Sequence, residues 1–70
     1  MTNVNLLKSV MAKSGDLVFV DCLTKILSIS RSTASNKLNG KSEFNQTEIS
    51  KIAEHYHLTA DEIKIIFLGE

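Results

Sequence analysis

The sequence predicts an all-α domain of five short helices, and three observations carry that prediction. Apolar residues recur three and four positions apart in successive stretches, which is the spacing of one helical face. Residues that begin or end helices stand between those stretches, namely Ser14-Gly15, Ser30, Gly40, Asn45 and Thr59. The chain has no proline, no low-complexity segment and no stretch that reads firmly as a strand.

Each helix follows from its own pattern. Leu6, Leu7, Val10 and Met11 form one face, and Gly15 is suited to the left-handed conformation that closes helices, so the first helix is expected over 4–14. Phe19, Cys22, Leu23, Ile26 and Leu27 make a second stripe at i, i+3, i+4, i+7 and i+8. Its start has two readings: Asp16 as the cap, or residues 17–20 as an extended entry. Ser28, Ile29 and Ser30 interrupt the pattern. Ser30 then caps a third helix over 31–39 in which only Ala34 and Leu38 are clearly apolar, leaving most of that helix's surface for something else. Lys37 in its last turn suits the helix dipole, Gly40 closes it, and 41–45 reads as a loop. Asn45 with Glu48 has capping-box spacing before Ile49, Ile52, Ala53 and Tyr56, which predicts a fourth helix over 46–56. Thr59 with Glu62 repeats the signal for a fifth over 60–67, ended by Gly69.

Seventy residues are expected to make one domain, 1–70, because so short a chain buries only about 60% of its unfolded surface and cannot support two cores. Its 43% apolar content excludes compositional disorder. No apolar stretch approaches the roughly 18 residues that span a bilayer, and the first 15 residues lack the pattern of a signal peptide. Cys22 is the single cysteine, so no internal disulfide forms, and a cytoplasmic location is expected. Formal net charge is zero, yet the charges are segregated. Residues 22–42 hold Lys25, Arg31, Lys37 and Lys41 with no acid, whereas residues 43–70 hold six acids against Lys51 and Lys64. Such polarity suits a protein presenting one face to a polyanion, although a solvated surface with chance clustering would look the same.

Two helices joined by three or four residues, the second short and outwardly polar, form the helix-turn-helix unit that can seat its second helix in the DNA major groove. Many helical hairpins of this outline bind only protein. Here the residues add a resemblance. VDCLTKILSISRSTASNKLN, from Val20 to Asn39 and followed by Gly40, resembles the helix-turn-helix of phage Cro proteins and of the amino-terminal domains of phage repressors. In that pattern apolar residues hold the helices together at the positions of Leu23, Leu27, Ile29, Ala34 and Leu38. ISKIAEHYHLTADEI, from Ile49 to Ile63, is similar to the family's fourth helix, turn and fifth helix, so the resemblance covers nearly the whole chain.

The resemblance implies a compact five-helix, lambda-repressor-like DNA-binding domain with its motif over about 19–39. It implies that Arg31, Ser32 and Asn36 face the bases, with Ser30 and Ser35 beside them. Arg can bond bidentately to guanine O6 and N7, Asn to adenine N6 and N7, and Ser less selectively. Asn39, the Gly40 amide, Lys41 and Ser42 correspond to the loop that grips phosphate, with Lys37 and Lys25 adding attraction. The implied partner is a double-stranded operator, and the implied role is a transcriptional regulator more like Cro than a full-length lysogeny repressor. The chain departs from the family pattern in places. Val20 stands where a phosphate-holding Gln is usual, Thr24 replaces an Ala, Ser28 replaces a Gly, and about two extra residues separate Gly15 from Leu23. Neutral net charge, Val20 and an apolar fifth helix also fit a second reading, a modulator or antirepressor that docks on a repressor protein.

No other constellation carries chemistry. His55 and His57 point in different directions and have no ligand-spaced cysteine or carboxylate, so no metal is expected. Cys22 lies on a core stripe as filler, no catalytic set or cofactor motif is present, and the three glycines are spaced as helix terminators. The fifth helix holds more apolar residues than one face can use: Ile65, Ile66 and Leu68 are expected to form a surface for a homodimer or other partner, the alternative being that the last turn folds back onto the first helix. A twofold dimer would set two recognition helices about 34 Å apart, matching successive turns of DNA.

Overall fold

A computed structural model describes residues 2–69; Met1 and Glu70, the ends of the expected 1–70 domain, lie outside the described residues. Five α-helices follow in order, α1 (Val4–Lys13), α2 (Phe19–Leu27), α3 (Arg31–Leu38), α4 (Gln46–Tyr56) and α5 (Ala60–Phe67), and no strand occurs among the described residues. The last two match their expected bounds, while α1 and α3 each end one residue sooner, on the C-caps Ser14 and Asn39.

Local chemistry explains the helix starts. Asn3 Oδ1 accepts from the Leu6 amide, and Ser30 Oγ from the Thr33 amide. At Asn45/Glu48 and Thr59/Glu62 both arms of the capping box are present. The start of α2 fits neither reading in full: Val18 precedes it with no side-chain cap, so Asp16 is not the cap, and the expected extended entry over 17–20 is corrected because Phe19 and Val20 already belong to the helix. Asp16 instead accepts a 2.6 Å hydrogen bond from the Tyr56 hydroxyl, tying the α1–α2 connection to the end of α4. Burial, together with that bond to a carboxylate, pushes the Tyr56 hydroxyl pKa well up. The nearby Cys22 thiol is also raised, first by burial and then by the Asp16 charge.

The core is built from Leu7 and Met11 of α1, Leu23 and Leu27 of α2, Ala34 and Leu38 of α3, Ile52 of α4, and Ile66 and Phe67 of α5. Phe44 joins them from the segment read as a plain loop. Its ring meets Phe67 edge to face at 5.6 Å, so residues 41–45 carry a core anchor. α3 rests chiefly on α2, α2 also meets α4, and α5 packs on α1 and α4. Ile66 is only 3% exposed and its carbonyl accepts from the Asn3 amide; the expectation that it lies on the outer surface is corrected, because α5 turns this edge onto α1. Ile65 and Leu68 do face outward.

Candidate nucleic-acid interface

α2 and α3 are joined by three residues, and the turn between them depends on backbone handedness. Ser28 ends α2 at φ 56° and ψ 45°, the left-handed region that costs a residue with a side chain about 1 kcal/mol or more. Ser30 follows in extended conformation and caps α3. This sets α3 across α2 with Ala34 and Leu38 buried beneath it. The opposite side carries Arg31, Ser32, Ser35 and Asn36, which line one shallow depression together with Val20 from α2. Arg31, Ser32 and Asn36 are exposed and Ser35 is half-buried.

Four of the five residues expected to face bases therefore share one surface. Ser30 does not line it: its hydroxyl donates to Thr33 Oγ1 at 2.9 Å and accepts the Thr33 amide, so it serves as the helix cap. Ser35 Oγ accepts from Asn39 Nδ2 at 3.3 Å.

The residues expected to hold phosphate separate into two groups. Asn39, Gly40, Lys41 and Ser42 are exposed beyond the end of α3. Their amides are engaged: the Asn36 carbonyl accepts those of Lys41 and Ser42, the Ser35 carbonyl that of Asn39, and the Lys37 carbonyl that of Gly40 at 3.3 Å. The expectation of a free Gly40 amide for phosphate is corrected accordingly, and this loop offers side chains. Lys37 is corrected more completely. It is 8% exposed, its Nζ donates to the Glu43 carbonyl and to Glu48 Oε1, each at 2.9 Å, and it lies 5.5 Å from the centre of the Phe44 ring. Burial alone would raise the Glu48 pKa, but hydrogen bonds from Lys37 and the Asn45 amide outweigh it and hold the carboxyl below its usual range. Lys37 is thus a clip between α3 and α4.

Arg31 also has an acidic neighbour. Its Nη1 pairs with Asp21 Oδ1 from the first turn of α2; the Arg31 side chain stays largely open to solvent and that of Asp21 is half-buried. Of the four cations of residues 22–42, Arg31 and Lys37 are thus paired with acids outside that span. Lys25 lines a separate depression with Ile26, Lys51, Glu54 and His55, which leaves Lys41 as the exposed lysine beside the α3 surface. The Asp21–Arg31 pair escaped sequence reading because it spans the turn, and the Lys37–Glu48 pair because it spans the loop.

The site elsewhere offers little to a metal. Among the described residues no group of three or more His, Cys, Asp or Glu side chains comes together, and His57 is the left-handed C-cap of α4. No described helix is long and apolar enough to cross a membrane.

The fold and surface define a small all-helical domain organised around a helix-turn-helix pair. Residues 19–66, from the first residue of α2 to near the end of α5, match the family model described as the BetR domain. The matched segment is more than half of the chain, and the protein belongs to the BetR domain family. No curated protein and no solved structure matches the chain.

Proposed function

We propose that the protein is a sequence-specific DNA-binding regulator of the phage Cro type that lays α3 in the major groove of an operator and blocks transcription by occupying it. The observation that carries this reading is the outer surface of α3. Arg31, Ser32, Ser35 and Asn36 gather on it, supported from below by a buried face and by the Lys37 clip. An arginine, an amide and hydroxyls on one exposed helical face are the donor and acceptor set that distinguishes base pairs in the major groove. The left-handed Ser28, where the Cro and repressor pattern usually has Gly, adds support for the same turn.

Binding to random and selected duplexes across a salt series tests it. Arg31→Ala should flatten sequence preference, losing about 1 to 3 kcal/mol on the preferred site, whereas Lys41→Ala should weaken all duplexes alike.

Homodimerisation belongs to the same proposal. Leu6 of α1 with Ile65 and Leu68 at α5 expose apolar surface, at 38%, 46% and 56%. Joining two copies there would give the twofold symmetry of a palindromic operator.

A protein-docking module is the second reading, favoured by two specific observations. The pairing of Arg31 and Lys37 removes half of the basic segment's free cations. Leu17 and Val18, 72% and 58% exposed, stand just before α2, and apolar surface of this kind suits a protein partner better than phosphate. Failure to bind any duplex at about 50 mM salt, with retention of the chain by an immobilised repressor, would establish this reading over the first.

A further inference from the structure

We propose that Asp21 is a specificity-determining residue of the α3 surface: it positions Arg31 toward a guanine edge and penalises DNA that offers no guanine there. The inference rests on the reading of that surface as a DNA interface.

Asp21 and Arg31 lie in the first turns of the two motif helices, ten positions apart in sequence and brought together by the Ser28 turn. The contact uses Arg31 Nη1. A guanidinium has five N–H donors, so four remain, enough for the bidentate pair with O6 and N7 of guanine. An exposed ion pair is weak, and this one restrains the guanidinium without holding it away from a ligand. Asp21 itself is less than half exposed on the side of α2, where Thr24 Oγ1 donates to its carbonyl, so its backbone position is fixed.

The carboxylate acts differently on two kinds of DNA. Against an arbitrary duplex Arg31 stays paired with the carboxylate, so its positive charge is spent within the protein and draws phosphate less than a free guanidinium would. Against a site with a correctly placed guanine, Arg31 bridges the carboxylate and the base, and the negative charge strengthens the alignment of the bridging guanidinium. A charge that weakens wrong complexes more than right ones raises discrimination while lowering gross affinity. This accounts for an acid on a surface whose proposed ligand is a polyanion.

The test starts by selecting a preferred duplex with the wild-type chain, then measures its affinity and that of a scrambled duplex at several salt concentrations. Asp21→Asn should bind the scrambled duplex several-fold more tightly, and the ratio of selected to scrambled affinity should fall about tenfold. Asp21→Glu should keep most of the ratio. In an Arg31→Ala background, Asp21→Asn should leave the ratio unchanged, since there is no guanidinium to position. Replacing the contacted guanine by 7-deazaguanine should weaken wild type and spare Arg31→Ala. An unchanged ratio in Asp21→Asn, with wild type still discriminating, overturns this proposal and leaves DNA binding intact. If wild type binds no duplex, the DNA-binding reading itself fails, and this proposal with it.

Discussion

Lys37 shows how far a single side chain can depart from its composition. A lysine near the end of an exposed polar helix reads as a solvated cation, but this one is buried, its ammonium lying over the Phe44 ring and held by Glu48 and the Glu43 carbonyl. Lys37→Met keeps the stem and removes the charge, leaving Glu48 with a buried charge lacking its main partner; a loss of about 2 to 3 kcal/mol is expected in urea unfolding.

Two residues, Glu48 and Tyr56, make stability depend on pH. The folded Glu48 carboxyl titrates below its unfolded value of about 4.3, so its contribution is present above that pH and is lost as pH falls through the folded value. Tyr56 is raised above its unfolded value of about 10, so its contribution is full below that pH and is lost as pH climbs beyond it. Tyr56→Phe should cost about 1 kcal/mol at neutral pH, and unfolding midpoints of the variant should decline less than those of wild type in the alkaline arm.

At the scale of the helix, what sequence could foresee divides by distance along the chain. Both capping boxes join residues three positions apart, so Asn45/Glu48 and Thr59/Glu62 were legible, and α4 and α5 have their expected bounds. The surface of α3 was legible for the same reason: its narrow apolar stripe fixes which side must face outward. Lys37–Glu48 depends on how α3 and α4 come to lie together, and Phe44–Phe67 on how the loop after α3 meets α5, and no local pattern records either. Ile66 was misplaced because a run of apolar residues at the end of α5 does not say which of them meets α1. Asn45→Ala should remove about 1 kcal/mol of stability, lowering the melting temperature by about 4 to 8 °C for a domain of this size. Ser28→Gly should act oppositely, gaining up to about 1 kcal/mol by relieving a side chain at positive φ, in the same thermal scan.

The whole molecule measures 28 × 24 × 20 Å, so two copies side by side can place equivalent helices about 34 Å apart, the spacing of successive major grooves. Sedimentation should show species heavier than the 7.8 kDa monomer at micromolar concentration or on a palindromic duplex, and Ile65→Asp should abolish them. A monomer under both conditions would exclude the dimer. The internal pairing of charges sets the strength of salt dependence. On the DNA-binding reading, with Lys37 sequestered and Arg31 directed to a base, Lys41 and more distantly Lys25 are left to neutralise phosphate from residues 22–42, and log K should fall with log[salt] at a shallow slope of about −1 to −2 per copy.

The pairing of α3 at both of its ends has a thermodynamic consequence. Arg31 ties its first turn to α2, and Lys37 ties its last turn to α4. With Ala34 and Leu38 buried beneath it and Lys37 clipped at its last turn, α3 has little conformational entropy left to lose, so the heat capacity change on association would report chiefly the surface removed from water. On the proposed DNA-binding reading, a target would meet α3 already in its final shape, and the encounter rate would carry no folding step.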